Sequence, residues 1–220
     1  MWPFLKAGKT TRMAELIKTL LSFSERAGEI ARAIRREPKL FALLVEEKGE
    51  GEKNQRFAQD FKTLADVLIQ EALRHHVAVR IPSLAQRVQG EESAEFTNTL
   101  GEQITVRICD TQDATATLLA KVLDGNKEAA DILASLAHRD VPFTPDPDLM
   151  RSTRASHSTG EYVRGRAGAA DSAIHQQGLQ CVTVLIGLFH RHSGLPVAGI
   201  INQPFAAFNK SEQRWEGKVY

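Results

Sequence analysis

The feature that most constrains the fold is an apolar hairpin in the last fifth of the chain. Leu179–Phe189 is almost unbroken by polar residues, His190–Gly194 supplies a polar turn, and Leu195–Asn202 returns. A short apolar run bounded by turn residues is typical of a strand. Because the run is apolar at nearly every position, the sequence predicts a hairpin in a sheet that is covered on both sides.

Helical spacing of apolar residues dominates the rest of the chain. It predicts an amphipathic helix over Ala14–Arg36, which ends before Pro38 because a helix loses a hydrogen bond at proline. Further helices are predicted at Leu40–Val45, Thr63–His75 and Lys127–Ala137. The apolar helices and the hairpin together supply enough apolar surface for a packed core.

Strand and loop signals lie between these helices. The β-branched stretch His76–Val88 favours one or two short strands, and Ile104–Cys109 favours another. Asp110 or Thr111 offers an N-cap for a helix that reaches Val122, and the Asp-Gly-Asn sequence that starts at Asp124 ends that region. The charge run Glu46–Lys53 could bind an acidic ligand, but its composition favours a mobile, solvated loop.

Composition excludes several classes of function. The 28 Lys and Arg residues nearly balance the 27 Asp and Glu residues, so no broad basic field favours nucleic-acid binding. Cys109 and Cys181 are isolated, which predicts core thiols in a reducing compartment rather than a zinc site. Met1–Met13 has neither the apolar region nor the cleavage site of a signal peptide, and no apolar run is long enough to span a bilayer.

The turn over Val88–Glu95 is the candidate functional segment, because Glu91 and Glu92 directly follow Gly90. Mg²⁺ prefers oxygen ligands from one or two carboxylates together with substrate phosphate, so this acidic pair could hold a metal ion. Surface Glu-Glu pairs are common, however, and the motif alone favours a solvated surface loop. Asp66 lies one turn into a predicted helix, and its periodicity alone indicates a surface residue.

Long motifs throughout the chain resemble the Mg²⁺-dependent, lithium-inhibited sugar and inositol phosphatases. The similarity extends from about Glu15 to Tyr220 and is carried by Phe57–Gln70, Gly90–Asn98, Leu179–Gly187 and Gly199–Phe205. It implies an α+β fold, the N-terminal part of a layered αβαβα architecture with helices packed on a mainly antiparallel sheet. Residues 1–12 are then an N-terminal extension, and residues 13–220 a domain shorter than the family's.

The resemblance also implies a chemistry and a set of site residues. The expected substrates are small inositol phosphates, the expected cofactor is Mg²⁺, and the expected location is the cytoplasm. Glu91, Asp66 and Glu92 match the metal-binding region, while Asp66, Glu91 and Thr159 match residues that position the attacking water. Ser158 and Thr159 match residues beside the scissile phosphate. They also have the pattern of a helix start, which alone explains their residue types.

Two positions depart from the family pattern. Where the family has two metal-binding aspartates, alignment on Ser158 and Thr159 places Arg154 and His157. Two-metal phosphate chemistry needs clustered negative charge, and Arg154 would add repulsion instead. Asp146 and Asp148 could substitute, although their Pro-Asp-Pro-Asp setting favours a turn. The sequence therefore predicts a phosphatase with strongly impaired activity, or alternatively a non-catalytic relative with residual cation or phosphate binding.

The chain is also shorter than the family pattern, and it stops within a predicted strand. We therefore expect a truncated form of the domain. A sheet that ends in this way leaves unpaired edges, so self-association through those edges is a further expectation.

Overall fold

A computed structural model describes residues 7–36, 38–49, 51, 60–80, 82, 86, 88–139, 153–168, 175–190 and 193–220, with backbone only at 7–16, 19, 80 and 153–157. The helices in these ranges are α1 (Ala7–Arg35), α2 (Pro38–Leu43), α3 (Leu64–Arg80), α4 (Gln112–Ala120), α5 (Lys127–His138) and α6 (Thr159–Arg164). The strands are β1 (Val45–Glu47), β2 (Phe61–Thr63), β3 (Glu95–Thr97), β4 (Gln103–Thr105), β5 (Thr153–His157), β6 (Thr183–Phe189), β7 (Pro196–Asn209) and β8 (Arg214–Val219).

Helix α1 is the centre of the core. Its apolar residues recur every three or four positions, and Phe23, Ala27, Ile30 and Ile34 are all buried. They pack against β7, α3 and α5. The helix starts at Ala7, earlier than predicted, and ends as expected before Pro38, which begins α2. Proline is favoured in the first turn of a helix, because that position has no intrahelical partner for an N–H group.

The main sheet is antiparallel, with strand order β5-β6-β7-β8. The predicted hairpin is confirmed as β6 and β7, in which Leu185 pairs with Ile201. The expectation that both faces of the sheet are covered is wrong, because buried and less buried residues alternate along β6. Val197 and Ile201 on β7 are 40% and 43% exposed. Apolar residues on the outer face of the hairpin gave the sequence the appearance of a strand buried on both sides.

Two further expectations are corrected. The predicted strands in His76–Val88 are replaced at their start by helix, since α3 continues to Arg80 and buries Val77. Burial on a helical stripe outweighs the β-propensity of the valines here. In the charge run, Val45–Glu47 is a strand paired with β2, and Lys48 is buried rather than part of a mobile loop.

Helix α4 confirms Thr111 as its N-cap, and α5 has an N-cap, Asn126, that was not predicted. The Thr111 hydroxyl accepts a hydrogen bond from the backbone N–H of Ala114, and Asn126 does the same for Ala129. Between the helices, Asp124 and Gly125 both have positive φ, which the turn from one helix to the next requires. The two helices pack against each other, and α5 also packs against α1.

The architecture is α+β, as expected, since helices pack on antiparallel sheets. Asp146 and Asp148 lie outside the described residues. The assignment of residues 1–12 as an extension stays a prediction, although α1 includes residues 7–12. Among the helices described, none combines the length and apolar character needed to cross a membrane.

We predict that Tyr162→Phe lowers the free energy of unfolding by about 1 kcal/mol, because a buried hydrogen bond is lost. The Tyr162 hydroxyl donates to the carbonyl of Ala31 in α1 over 2.7 Å. Tyr220→Phe is the matched control, since Tyr220 is 58% exposed. Urea denaturation measures both variants, and equal stability loss in the two would contradict the role of this bond.

Candidate functional site

The turn that carries Glu91 and Glu92 is held by a side chain from α3. The amide Nε2 of Gln70 donates to the Glu92 carbonyl over 2.7 Å, and the Glu92 N–H donates to Gln70 Oε1 over 3.1 Å. Gln70 is itself buried. Because one amide group satisfies both backbone groups of Glu92, it fixes the turn against α3 much as a neighbouring strand would.

Gly90 is required where the turn approaches α3. A Cβ atom at this position would overlap the Gln70 side chain, whereas one at Gly49 would meet nothing within 4 Å. The glycine before the acidic pair therefore gives the turn its close approach to the helix. This is a packing reason for the residue type, separate from any metal-binding role.

Asp66 is buried, which corrects its interpretation as a surface residue. It is 3% exposed, and its Oδ2 accepts hydrogen bonds of 2.8 Å from both the backbone N–H and the hydroxyl of Thr63. The Asp66 N–H points back to the Thr63 hydroxyl at 3.4 Å. This reciprocal arrangement is a capping box at the start of α3, where the helix dipole also favours a negative charge.

Glu92 is paired with a lysine that the sequence analysis did not identify as part of the site. Lys48 Nζ lies 2.7 Å from Glu92 Oε1 and 3.6 Å from Asp60 Oδ2, and the Lys48 side chain is only 6% exposed. Lys62, in β2, reaches the same segment by donating to the carbonyl of Glu95 over 3.0 Å. The ammonium group of Lys48 thus pairs with one of the two carboxylate oxygens of Glu92.

The charges of this cluster shift the pKa of both partners upward. Burial raises the pKa of Glu92 and outweighs the opposing effect of Lys48, and the charges of Asp66 and Glu91 raise it further. Burial lowers the pKa of Lys48, but the hydrogen bond and charge of Glu92, with the charges of Asp60 and Glu91, raise it by more. Because the nearby carboxylates outnumber the Lys48 ammonium group, Glu92 and Lys48 both keep their protons to a higher pH than isolated side chains do.

Glu91 is the predicted site residue that remains available. It is exposed, and it makes no hydrogen bond or ion pair with the described residues. Its charge acts on both Glu92 and Lys48, so it lies beside the buried pair. The turn therefore presents one carboxylate outward and keeps the next one inward, as successive residues in an extended segment do.

Ser158 and Thr159 lie at the start of α6, as predicted. Ser158 has φ 68° and ψ 40°, and its side chain makes no capping bond, although its carbonyl accepts the N–H groups of Glu161 and Tyr162. Helix α6 packs against β2, and the charge of Asp66 contributes to the raised pKa of Tyr162 after the larger effect of burial. Thr159 therefore lies on a helix that packs next to the Asp66 region.

The described residues do not fit a two-metal centre. None of their His, Cys, Asp and Glu side chains form a group of three or more that could hold a metal ion. Asp66 is committed to Thr63 and Glu92 to Lys48. Arg154 lies on β5 opposite Leu185 of β6, and His157 opposite Thr183. A single hard cation held through Glu91 is the most that this donor set accommodates.

Lys48 and Gln70 were missed by the sequence analysis for different reasons. Lys48 stands in a charge run that has the composition of a loop, so nothing in the sequence distinguishes it from its neighbours. Gln70 carries a usable signal, because it is a polar residue among the buried positions of α3. A buried amide needs partners, so Gln70 could have been expected to bind a neighbouring backbone segment.

We predict that Gly90→Ala destabilises the protein by about 1–3 kcal/mol through overpacking against Gln70. In a Gln70→Ala background the same substitution should cost much less, since the overlapping side chain is gone. Urea unfolding of the two single variants and the double variant gives the coupling energy. Gly49→Ala is the matched control and should stay within about 0.5 kcal/mol. Additive effects of the two substitutions would contradict the contact.

We predict that the free energy of unfolding of the parent protein, relative to that of Glu92→Gln, decreases as the pH rises. A carboxyl whose folded pKa is raised binds more protons in the folded state than in the unfolded state. The resulting stabilisation is complete below the unfolded pKa of about 4.5 and is lost as pH rises through the folded pKa. Unfolding titrations from about pH 4 to 8 test this, and a difference that grows with pH would refute it.

The comparisons with known proteins show what the chain is related to. No protein-family profile matches it. It is 46% identical over 222 residues to inositol polyphosphate 1-phosphatase of Homo sapiens, covering 94% of this chain and 55% of that protein. The proteins of the same name from Mus musculus and Bos taurus are 46% and 44% identical over 220 residues. The chain spans about half the length of these relatives. By sequence it is a homologue of the inositol polyphosphate 1-phosphatases over nearly all of its own length.

Proposed function

We propose that the chain is a phosphomonoesterase of the inositol polyphosphate 1-phosphatase type. Its substrates would be inositol 1,4-bisphosphate and inositol 1,3,4-trisphosphate, and it would remove the 1-phosphate in the presence of Mg²⁺ with a turnover far below that of its relatives. The observation that carries the proposal is the placement of Glu91. In a homologue of phosphatases, the turn that Gln70 binds carries the exposed carboxylate of Glu91 directly before Glu92, and Glu92 lies close enough to Asp66 to feel its charge.

The roles proposed for the residues follow the family resemblance. A Mg²⁺ ion, when bound, lowers the pKa of water and offsets charge on the phosphoryl oxygens. Glu91 would contribute a ligand to such an ion and help to orient the attacking water. Asp66 and Thr159 would position that water, and Ser158 with Thr159 would contact the phosphate. Asp66 suits this role because its hydrogen bonds to Thr63 hold it rigidly.

Weak turnover is proposed because of the local charges. Arg154 and His157 stand where the family has two aspartates, so negative charge is replaced by a positive and a largely neutral side chain. Glu92 is already neutralised by Lys48 at 2.7 Å. Loss of metal ligands and of the residues that orient them typically lowers metal affinity or activity by large factors. The same resemblance also suggests inhibition by lithium and a cytoplasmic location.

The second candidate is a non-catalytic relative that binds a cation or phosphate weakly. The observation that favours it is the state of the predicted metal ligands, since Asp66 and Glu92 both have protein partners in place of a metal ion. Self-association through the edge strands of the main sheet, which are β5 and β8 among the described residues, remains part of either proposal.

We predict that the chain releases phosphate from inositol 1,4-bisphosphate only with Mg²⁺, and that Glu91→Gln abolishes this release. Glu95→Gln is the matched control, because Glu95 is an exposed acid of the same segment with no proposed role. A colorimetric phosphate assay measures all three proteins. If the parent protein releases no more phosphate than Glu91→Gln, the non-catalytic candidate is correct and the phosphatase proposal fails.

The doubly substituted chain Arg154→Asp with His157→Asp tests the cause of the weak turnover. Restoring two carboxylates should raise Mg²⁺-dependent phosphate release by about tenfold or more, the usual scale for ligand-region effects. Unchanged release in this variant, with the fold intact by circular dichroism, would show that charge at these positions is not what limits activity.

A further inference from the structure

Three histidines meet where the C-terminal part of α3 packs against the last turn of α5. His75 and His76 belong to α3, and His138 is the last residue of α5. The ring centre of His75 lies 6.1 Å from that of His138 and 5.7 Å from that of His76. All three side chains are partly buried, so water still reaches them. The proposed phosphatase chemistry uses none of these residues.

Hydrogen bonds hold two of the three rings at this junction. His76 Nε2 lies 2.9 Å from the carbonyl oxygen of Ala137, which can only accept, so this nitrogen carries a proton and donates it. His138 Nε2 lies 2.8 Å from the hydroxyl of Thr115 on α4, a fully buried residue. His76 also packs edge-on against Phe23 of α1. The ring positions are therefore set by contacts among four helices.

The Thr115 hydroxyl accommodates His138 in either protonation state. It accepts the backbone N–H of Cys109 over 2.9 Å, and it lies 3.2 Å from the carbonyl oxygen of Thr111. When His138 is neutral, the hydroxyl can donate its proton to the imidazole. When His138 is protonated, the hydroxyl can accept from the imidazole and donate to Thr111 instead. The hydrogen bonding around His138 therefore does not fix its charge.

Most charges on the surrounding helices are compensated by one another. Arg74 pairs with Glu71 on α3 over 2.5 Å, and Arg139 pairs with Glu29 of α1 over 2.8 Å. Arg26 of α1 donates to the backbone carbonyl of Arg139. Asp140 lies outside the described residues.

The environment of the two facing rings favours their neutral form. Burial lowers the pKa of His75, the charge of His138 lowers it further, and the exposed Asp110 opposes both effects. Burial also lowers the pKa of His138. Because the rings are neighbours, a proton on one of them makes a proton on the other less favourable.

We propose that His75 and His138 form a pH-sensitive latch between α3 and α5, which is closed while both rings are neutral and opens when both carry a proton. Two imidazolium ions side by side at a partly buried helix junction repel each other and lose part of their hydration. Separation of the two helix ends relieves both costs. The inference concerns the packing of α3 on α5 and does not depend on the proposed phosphatase activity.

The latch makes stability depend on pH with a definite sign. A histidine whose pKa is lower in the folded state binds fewer protons there than in the unfolded state. Its contribution is complete above the unfolded pKa of about 6.5 and is lost as the pH falls through the folded pKa.

Urea unfolding at about pH 7.5 and about pH 5.5, on either side of the ordinary pKa of histidine, tests this sign. On acidification the unfolding constant of the parent protein should rise about twofold to fivefold more than that of His75→Gln, the scale of a partly exposed pair of charges. His190→Gln is the matched control, because His190 lies in the turn after β6 and bonds to Ser193. It should respond to pH as the parent protein does. An equal response of the parent protein and His75→Gln would overturn the proposal.

A double-mutant cycle with His75→Gln and His138→Gln tests whether the two rings act as a pair. The coupling between the substitutions should be more repulsive at the lower pH, because only there do both rings carry charge. Other charges, including that of Asp140, are present in all four proteins and cancel in the cycle. The same coupling at both pH values would refute the latch.

NMR titration of the imidazole protons tests the pair without relying on stability. In His138→Gln the titration midpoint of His75 should move to higher pH, because a positively charged neighbour is gone. Hydrogen exchange then locates the opening. Below about pH 6, backbone N–H groups in the last turns of α3 and α5 should lose protection relative to those of β6 and β7. An unchanged midpoint of His75, or a uniform loss of protection along the chain, would contradict the proposal.

Discussion

The capped N-terminus of α3 is the interaction on which the candidate site depends. Asp66 is a buried charge, and such a charge is tolerated only when hydrogen bonds replace its lost hydration. Thr63 supplies two of them, and Thr63 is also the last residue of β2. Strand β2 pairs with β1, and β1 leads directly to Lys48. One helix turn after Asp66, Gln70 binds the turn that carries Glu92. A single helix start therefore sets the relative positions of three chain segments.

The balance of charge at this site explains its chemical character. Three carboxylates surround the Lys48 ammonium group, of which Glu92 at 2.7 Å is the nearest. An internal ammonium ion offsets part of the negative charge that a bound divalent ion would otherwise offset. It cannot, however, polarise a water molecule or a phosphoryl oxygen as a metal ion does. The pairing of Lys48 with Glu92 therefore stabilises this segment as a compensated charge cluster without supplying what a bound metal ion would supply.

The sequence was sufficient for those parts of the fold that depend on local pattern. Apolar spacing located α1, α3 and α5, and the capping residue Thr111 marked where α4 begins. The failures involve tertiary contacts. Lys48 is buried because the chain segment around Glu92 packs against it, and Glu92 is 44 residues away in sequence. The predicted burial of both sheet faces failed because an apolar run does not show which of its faces the core covers.

The site residues divide in the same way. The glycine and the paired glutamates marked the turn in the sequence. The hydrogen bonds from Gln70 to that turn could not be predicted, because the sequence does not show which face of α3 the turn contacts. For Thr159, the decisive contacts belong to Tyr162, three residues later on the same helix. The Tyr162 ring packs edge-on against Phe41 and its hydroxyl donates a hydrogen bond to α1, while α6 also contacts β2. These contacts fix the short helix to the core, so the placement of Thr159 depends on packing around Tyr162 that its own residue type does not indicate.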